Sequence, residues 1–228
     1  MKPNKTNALI FDLDGTLWDA SDVVADSFNV KLSQLGLPER ITGDMMRSQM
    51  GKTLEEIAVV FFSGYERERA VEIMRACTDY ENEYIKTHGG RLYSGVKEML
   101  ESVRKNGWFC ACVSNCQSGY IEAFVSFHQL EGMFDDIECW GNTGNFKDDN
   151  IRAVVERNGI ERAVYAGDTM GDCRSAVSRG ASLSTAHMGM EMCRMQAFRK
   201  QSSLPILCRW RRGFLTARVD EAEISPTI

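Results

Sequence analysis

Apolar and polar positions alternate between two periods along this chain, and the change of period marks its organisation. Asn7 to Phe11 is a short apolar run that stops abruptly at Asp12, the pattern of a strand buried on both faces of a parallel sheet. Asp19 to Leu35 has Val24, Phe28, Leu32 and Leu35 on one helical face, with Gly36 placed to end the helix in a left-handed conformation. Thr53 to Phe62 opens with Thr53 and Glu56, the spacing of a capping box. A long helix follows from about Tyr65 to Thr87, before Gly89 and Gly90 interrupt the chain. From Ser94 onward helix and strand alternate. Helices are expected from Ser94, as its cap, to about Asn106, and at Ser118–His128, Asp148–Asn158 and Gly171–Arg179, with strands at Trp108–Val113, Asp136–Trp140 and Ala163–Ala166.

This alternation is βαβ logic and predicts an α/β fold, a Rossmann-like parallel sheet with helices on both faces. The helical block from Trp18 to Arg91 separates the first strand from the others, so it reads as an insertion. The expected division is a core of residues 1–17 and 92–182, a helical unit of 18–91, and an atypical segment of 183–228.

Composition narrows the class. The chain has 228 residues, 43% hydrophobic, enough for a sizeable core. Its longest apolar runs, Ile57–Phe62 and Trp108–Val113, are too short to span a bilayer, and Asp12 and Asp14 break the N-terminal run that a signal peptide would need. A net charge of −5 argues against nucleic acid as a partner. Eight cysteines without a secretory signal suit reduced thiols in a cytoplasmic protein. Cys110 and Cys112 read as alternate side chains of a buried strand, and His88, His128 and His187 form no ligand or triad spacing.

In open parallel sheets functional groups gather at the carboxyl ends of the strands. Those ends deliver Asp12-Leu13-Asp14-Gly15-Thr16, then Ser114-Asn115, then Lys147, then Gly167-Asp168-Thr169-Met170-Gly171-Asp172. Four carboxylates at one edge repel unless a cation sits among them, and hard oxygen ligands without His or Cys point to Mg²⁺. A carboxylate can serve as nucleophile, a neighbouring one as acid and base, and Lys147 as the fixed positive charge facing a phosphoryl dianion. Each piece alone is commonplace; their order at successive strand ends is what carries the reading.

With these residues the chain resembles the haloacid dehalogenase superfamily, in particular its phosphoglycolate-phosphatase-like branch with a helical cap, over about Ala8 to Ala181. The resemblance implies Asp12 as nucleophile, Asp14 as acid/base, and Ser114, Asn115 and Lys147 as phosphate-binding residues. It implies Mg²⁺ held by Asp12, Asp14, Asp168 and Asp172. It implies hydrolysis of a small phosphate ester through an aspartyl phosphate, in a monomer or weak homodimer. A sugar phosphomutase of the same fold and a non-catalytic phosphate-binding protein are the alternatives. Where the family often has Lys-Pro, this chain has Lys147-Asp148. Specificity is expected from the cap, with Arg47, Gly51 and Lys52 as candidates; a solvated basic turn is the competing reading.

Beyond Ala181 the pattern stops. Residues 183–228 hold seven basic and four acidic residues, with poor periodicity and methionine clustered from Met188 to Met195. One reading is a basic tail for an anionic surface. The preferred one is a frameshift. His187 to Ala197, back-translated two nucleotides out of register, permits the Gly-x-Gly and Val-Pro-x-Ala pattern common after the last core strand of this family. The tail is then expected to lack the fifth strand and final helix.

Overall fold

A computed structural model describes residues 4–169, Asp172 and 183–187. Five parallel strands form the core sheet: β1 (Asn4–Phe11), β4 (Trp108–Ser114), β5 (Asp136–Cys139), β6 (Arg162–Gly167) and β7 (Leu183–His187), in the order β5-β4-β1-β6-β7. Alternation along β1 and β4 feeds two separate apolar clusters. Ala8, Ile10, Phe109, Ala111 and Val113 pack with Ile151 and Val154 of α8 (Lys147–Asn158) on one face. Phe11, Cys110 and Cys112 pack on the other, against α5 (Val96–Lys105) and α6 (Tyr120–His128). A strand covered on both faces needs no polar alternation, which is why these segments read as continuous apolar runs.

Between β1 and the rest lie α1 (Ser21–Gln34), α2 (Gly43–Arg47), α3 (Leu54–Phe61) and α4 (Arg67–His88), an α-helical cap. A small antiparallel ladder joins its two connections to the core: β2 (Trp18–Asp19) faces β3 (Arg91–Leu92), pairing Trp18 with Leu92 and Asp19 with Arg91. Local chemistry sets the helix ends. Gly36 takes φ +67°, and the amides of Gly36 and Leu37 reach back to the Ser33 and Leu32 carbonyls, closing α1 in a Schellman turn. Thr53 and Glu56 form both halves of the capping box of α3. Trp18 is fully buried and meets Tyr120, Phe124 and His128 edge-on at 4.9–5.7 Å between ring centres. Further cap–core contacts come from Asn82 Nδ2, which donates to the Ser118 carbonyl at 2.7 Å, and Asn115 Nδ2, which donates to the Gly51 carbonyl at 3.0 Å.

Three expectations change. Ser94 does not cap α5; Gly95 occupies that position at φ +84°, and the helix begins at Val96. The short helices α2 and α7 (Trp140–Thr143) carry too few residues to show a period. The third concerns the tail: the core does not end at Ala181 or at residue 182. Leu183–His187 pairs in parallel with β6, from Ala163 beside Leu183 to Gly167 beside His187. A ladder is made by backbone groups, so the open edge of β6 accepts a strand that the sequence does not announce. The expected helix at Gly171–Arg179, apart from Asp172, and the segment 188–228 on which the frameshift reading depends lie outside the described residues. Among the described residues no helix is long and apolar enough to cross a membrane.

Candidate active site

The carboxyl ends of β1, β4 and β6 and the first turn of α8 converge on one cluster. Asp12 follows β1 with its amide donating to the Ala166 carbonyl at 2.8 Å, which fixes the strand end beside β6. Its carboxylate is buried: Oδ2 meets Lys147 Nζ at 2.9 Å, and Oδ1 has no hydrogen-bond partner. Burial pushes Asp12 up to about 7, against the pull of Lys147. Lys147, 4% exposed at the start of α8, also contacts Asp172 Oδ1 at 2.6 Å. Burial acts to lower the ammonium, yet the two carboxylates outweigh it and hold Lys147 above its ordinary value. Asp172 is fully buried and accepts from the Thr169 amide (2.9 Å) and hydroxyl (2.6 Å). Burial would raise it, but Lys147 and Thr169 hold it below the usual range.

Asp168 directly follows β6. Thr16 Oγ1 donates to its Oδ1 at 3.3 Å, and burial together with Asp172 raises it. Gly15 lies against it at φ +78°; a Cβ there would sit 2.2 Å from Asp168 Oδ2, so only glycine fits this turn. Oxygens of Asp12, Asp168 and Asp172 all lie within 4.8 Å of one another. Hard carboxylate oxygens, one of them orphaned at Asp12, fit a Mg²⁺-sized cation. Asp14, two residues past Asp12, turns away from that cluster. Its Oδ1 accepts from Trp18 Nε1 at 2.9 Å and Tyr120 Oη at 3.0 Å. Burial raises Asp14 to about 6 despite these two donors.

A cavity of about 90 Å³ opens between this cluster and the cap. Asp12, Asp14, Ser114, Asn115 and Lys147 line its floor; Met46, Gly51, Lys52, Met74 and Glu81 are among its cap-side residues. Ser114 is buried at the end of β4. The donor of Asn115 is committed to Gly51, leaving its Oδ1 buried and without a partner. Of the two basic cap candidates, Lys52 reaches the cavity wall while its exposed ammonium donates to Gln49 Oε1 at 2.8 Å. Arg47 is not among the lining residues. Asp19, Asp22 and Asp44 surround its guanidinium at 3.6, 3.2 and 2.9 Å. The sequence alone does not single out Thr16, Trp18, Tyr120, Thr169 or Glu81. Thr16 and Thr169 adjoin the aspartates and were legible there; the others meet the site only through packing.

The haloacid dehalogenase-like hydrolase family model matches residues 9–185. The chain belongs to that family. This haloacid dehalogenase-like hydrolase is 28% identical over 187 residues to a phosphoglycolate phosphatase of Nitrosospira multiformis, covering 78% of this chain and 82% of that one. A haloacid dehalogenase-like hydrolase of Bacteroides fragilis shares its fold with a TM-score of 0.68 at 23% identity, covering 81% of this chain and 89% of the other. CbbY of Rhodobacter sphaeroides, solved in complex with phosphate, gives 0.68 at 21% identity, covering 84% and 89%.

Proposed function

We propose that this enzyme is a Mg²⁺-dependent phosphomonoester hydrolase acting through an aspartyl phosphate on Asp12. The observation that carries the reading is the buried Asp12 carboxylate, held on one oxygen by Lys147 and unpartnered on the other, at the floor of the cavity. Asp12 attacks phosphorus, and the ester bond to the alcohol breaks. Lys147 balances charge on the phosphoryl oxygens, and Ser114 donates to them. Asp14 gives a proton to the departing alcohol oxygen and then takes one from the water that hydrolyses the aspartyl phosphate, releasing inorganic phosphate and restoring Asp12. Asp12, Asp168 and Asp172, with the Asp14 carbonyl, would hold Mg²⁺, which supplies Lewis-acid stabilisation of the phosphoryl charge.

The test is hydrolysis of an aryl phosphate with Mg²⁺ and with chelator. Chelation is expected to abolish phosphate release and added Mg²⁺ to restore it. Equal rates in both would overturn the metal dependence, and a phosphorylated sugar formed without net phosphate release would favour a phosphomutase.

The second expectation concerns Asp14. An acid must be protonated to donate, and burial raises Asp14 above its ordinary 3.8, so once Asp12 is ionised in the Mg²⁺-loaded enzyme kcat/KM for an alkyl phosphate should fall as pH rises past the raised Asp14 value. Burial sets that value, and Tyr120 is the stronger of the two donors opposing it. Tyr120→Phe removes a bond to the ionised form, so the falling limb should move to higher pH. A limb that stays in place, measured with an alkyl phosphate, would mean that Asp14 is not the group titrating.

A further inference from the structure

One turn of the core carries two separate ties to the cap. Gln117 and Ser118 follow Ser114 by three and four residues, and Asn82 of α4 spends both ends of its amide on them. Its Nδ2 donates to the Ser118 carbonyl at 2.7 Å, and its Oδ1 accepts from Gln117 Nε2 at 3.1 Å. The approach is close: Gly119 takes φ +87°, and a Cβ there would lie 2.9 Å from Asn82 Nδ2. Gln117 is also hydrogen-bonded to the neighbouring Glu81 carboxyl. The second tie comes from Asn115, whose Nδ2 donates to the Gly51 carbonyl in the loop before α3. From the other side the turn is held by the core itself. The Gly141 amide donates to the Cys116 carbonyl at 3.0 Å, and the Cys139 thiol donates to the Gln117 carbonyl at 3.6 Å. A Cβ on Gly141 would sit 2.1 Å from the Ser118 nitrogen. The turn thus keeps its place without the cap, and α4 is the partner that can leave it.

We propose that Asn82 is a positioning residue that seats α4 on the Gln117–Ser118 turn and so sets how often the cap lifts from the cavity. Its two hydrogen bonds exist only in the seated state, because lifting α4 carries the amide away from both partners. Water takes their place in the lifted state, so each is worth the modest net amount of a neutral hydrogen bond. Met74 and Glu81 lie on the same helix and line the cavity, so lifting α4 withdraws that wall from the space that Asp14 also lines.

Cys116 reports the seat without any turnover. It lines the cavity and is 7% exposed, whereas Cys110 is fully buried within β4. The experiment treats the full chain with N-ethylmaleimide and follows modification of each thiol by mass spectrometry. Asn82→Ala is expected to label Cys116 about 10-fold faster than the wild type, the scale of two neutral hydrogen bonds lost from the seated state, with Cys110 unchanged. Asn82→Asp keeps the shape and the acceptor for Gln117 but turns an oxygen toward the Ser118 carbonyl, so it is expected to speed Cys116 at least as much. An Asn82→Asp protein that labels at the wild-type rate would mean that Asn82 acts through packing, and overturns the inference. Cys116 and Cys110 accelerating together also overturns it, since Asn82 would then serve the fold as a whole. Asn82→Asp alone decides if the alanine variant does not fold.

Discussion

Asp12→Asn is expected to remove phosphate release by at least about 10⁴-fold, the scale seen when an enzyme loses its nucleophile. The amide keeps the shape of the side chain and cannot displace the alcohol. Folding should survive. Asp12 is pushed up to about 7 in the folded chain, above its ordinary 3.8, so the native state binds the extra proton between those values. Stability contributed by this group is therefore present at low pH and lost as pH rises through about 7. An amide never ionises, so the metal-free variant should melt no lower than the wild type at pH 8. Thermal melts in chelator beside the activity assay separate the two effects. A variant that retains turnover would remove Asp12 as nucleophile, and one that melts far below the wild type would assign the loss to folding.

The second large effect falls on Lys147. It sits 4% exposed between Asp12 and Asp172, itself fully buried. Lys147→Met keeps most of the volume and strips both carboxylates of their cation. Breaking a buried pair in this way costs about 3–5 kcal/mol, or a melting temperature lower by roughly 10 °C in a chain of this size. Asp172 is held below its ordinary value in the wild type, so it contributes stability at neutral pH that is lost on acidification. Without Lys147, burial dominates and the same carboxyl is raised, so the variant instead loses stability as pH rises. The gap between the two proteins should be small at pH 4–5 and large at pH 8 in metal-free buffer. A gap independent of pH would mean that Lys147 acts through packing.

The legibility of this site in the sequence follows from how each residue reaches it. Asp12, Ser114 and Asp168 stand at strand ends, where a buried run stops against a polar residue, and parallel pairing carries every such end to one edge. Lys147 was legible for a related reason, at the start of a helix that follows a strand. Arg47 was not placed by the sequence, because a basic residue beside a turn says nothing of its neighbours. Asp44 lies three residues before it on α2, but Asp19 is 28 positions away in sequence, and only the packing of α2 against α1 and β2 brings Asp19 and Asp22 around it. Glu81 and Tyr120 belong to helices whose periodicity reports burial alone. That one supplies a carboxyl to the cavity and the other a hydroxyl to Asp14 depends on how α4 meets α6. The strand β7 escaped notice because its partner supplies an edge that does not read side chains.

The paired crossing of Trp18–Asp19 with Arg91–Leu92 has a consequence for how such a chain can be rebuilt. Entry to the helical layer and exit from it lie side by side in register, with Asp19 opposite Arg91. Insertions of this geometry leave their host nearly undisturbed, since the two ends meet wherever the inserted segment goes. The helices behave as a cassette on a two-stranded stem. A helical layer of different length or shape is then expected to join that stem without moving Asp12, Asp168 and Asp172, by exchange of one contiguous stretch of the gene.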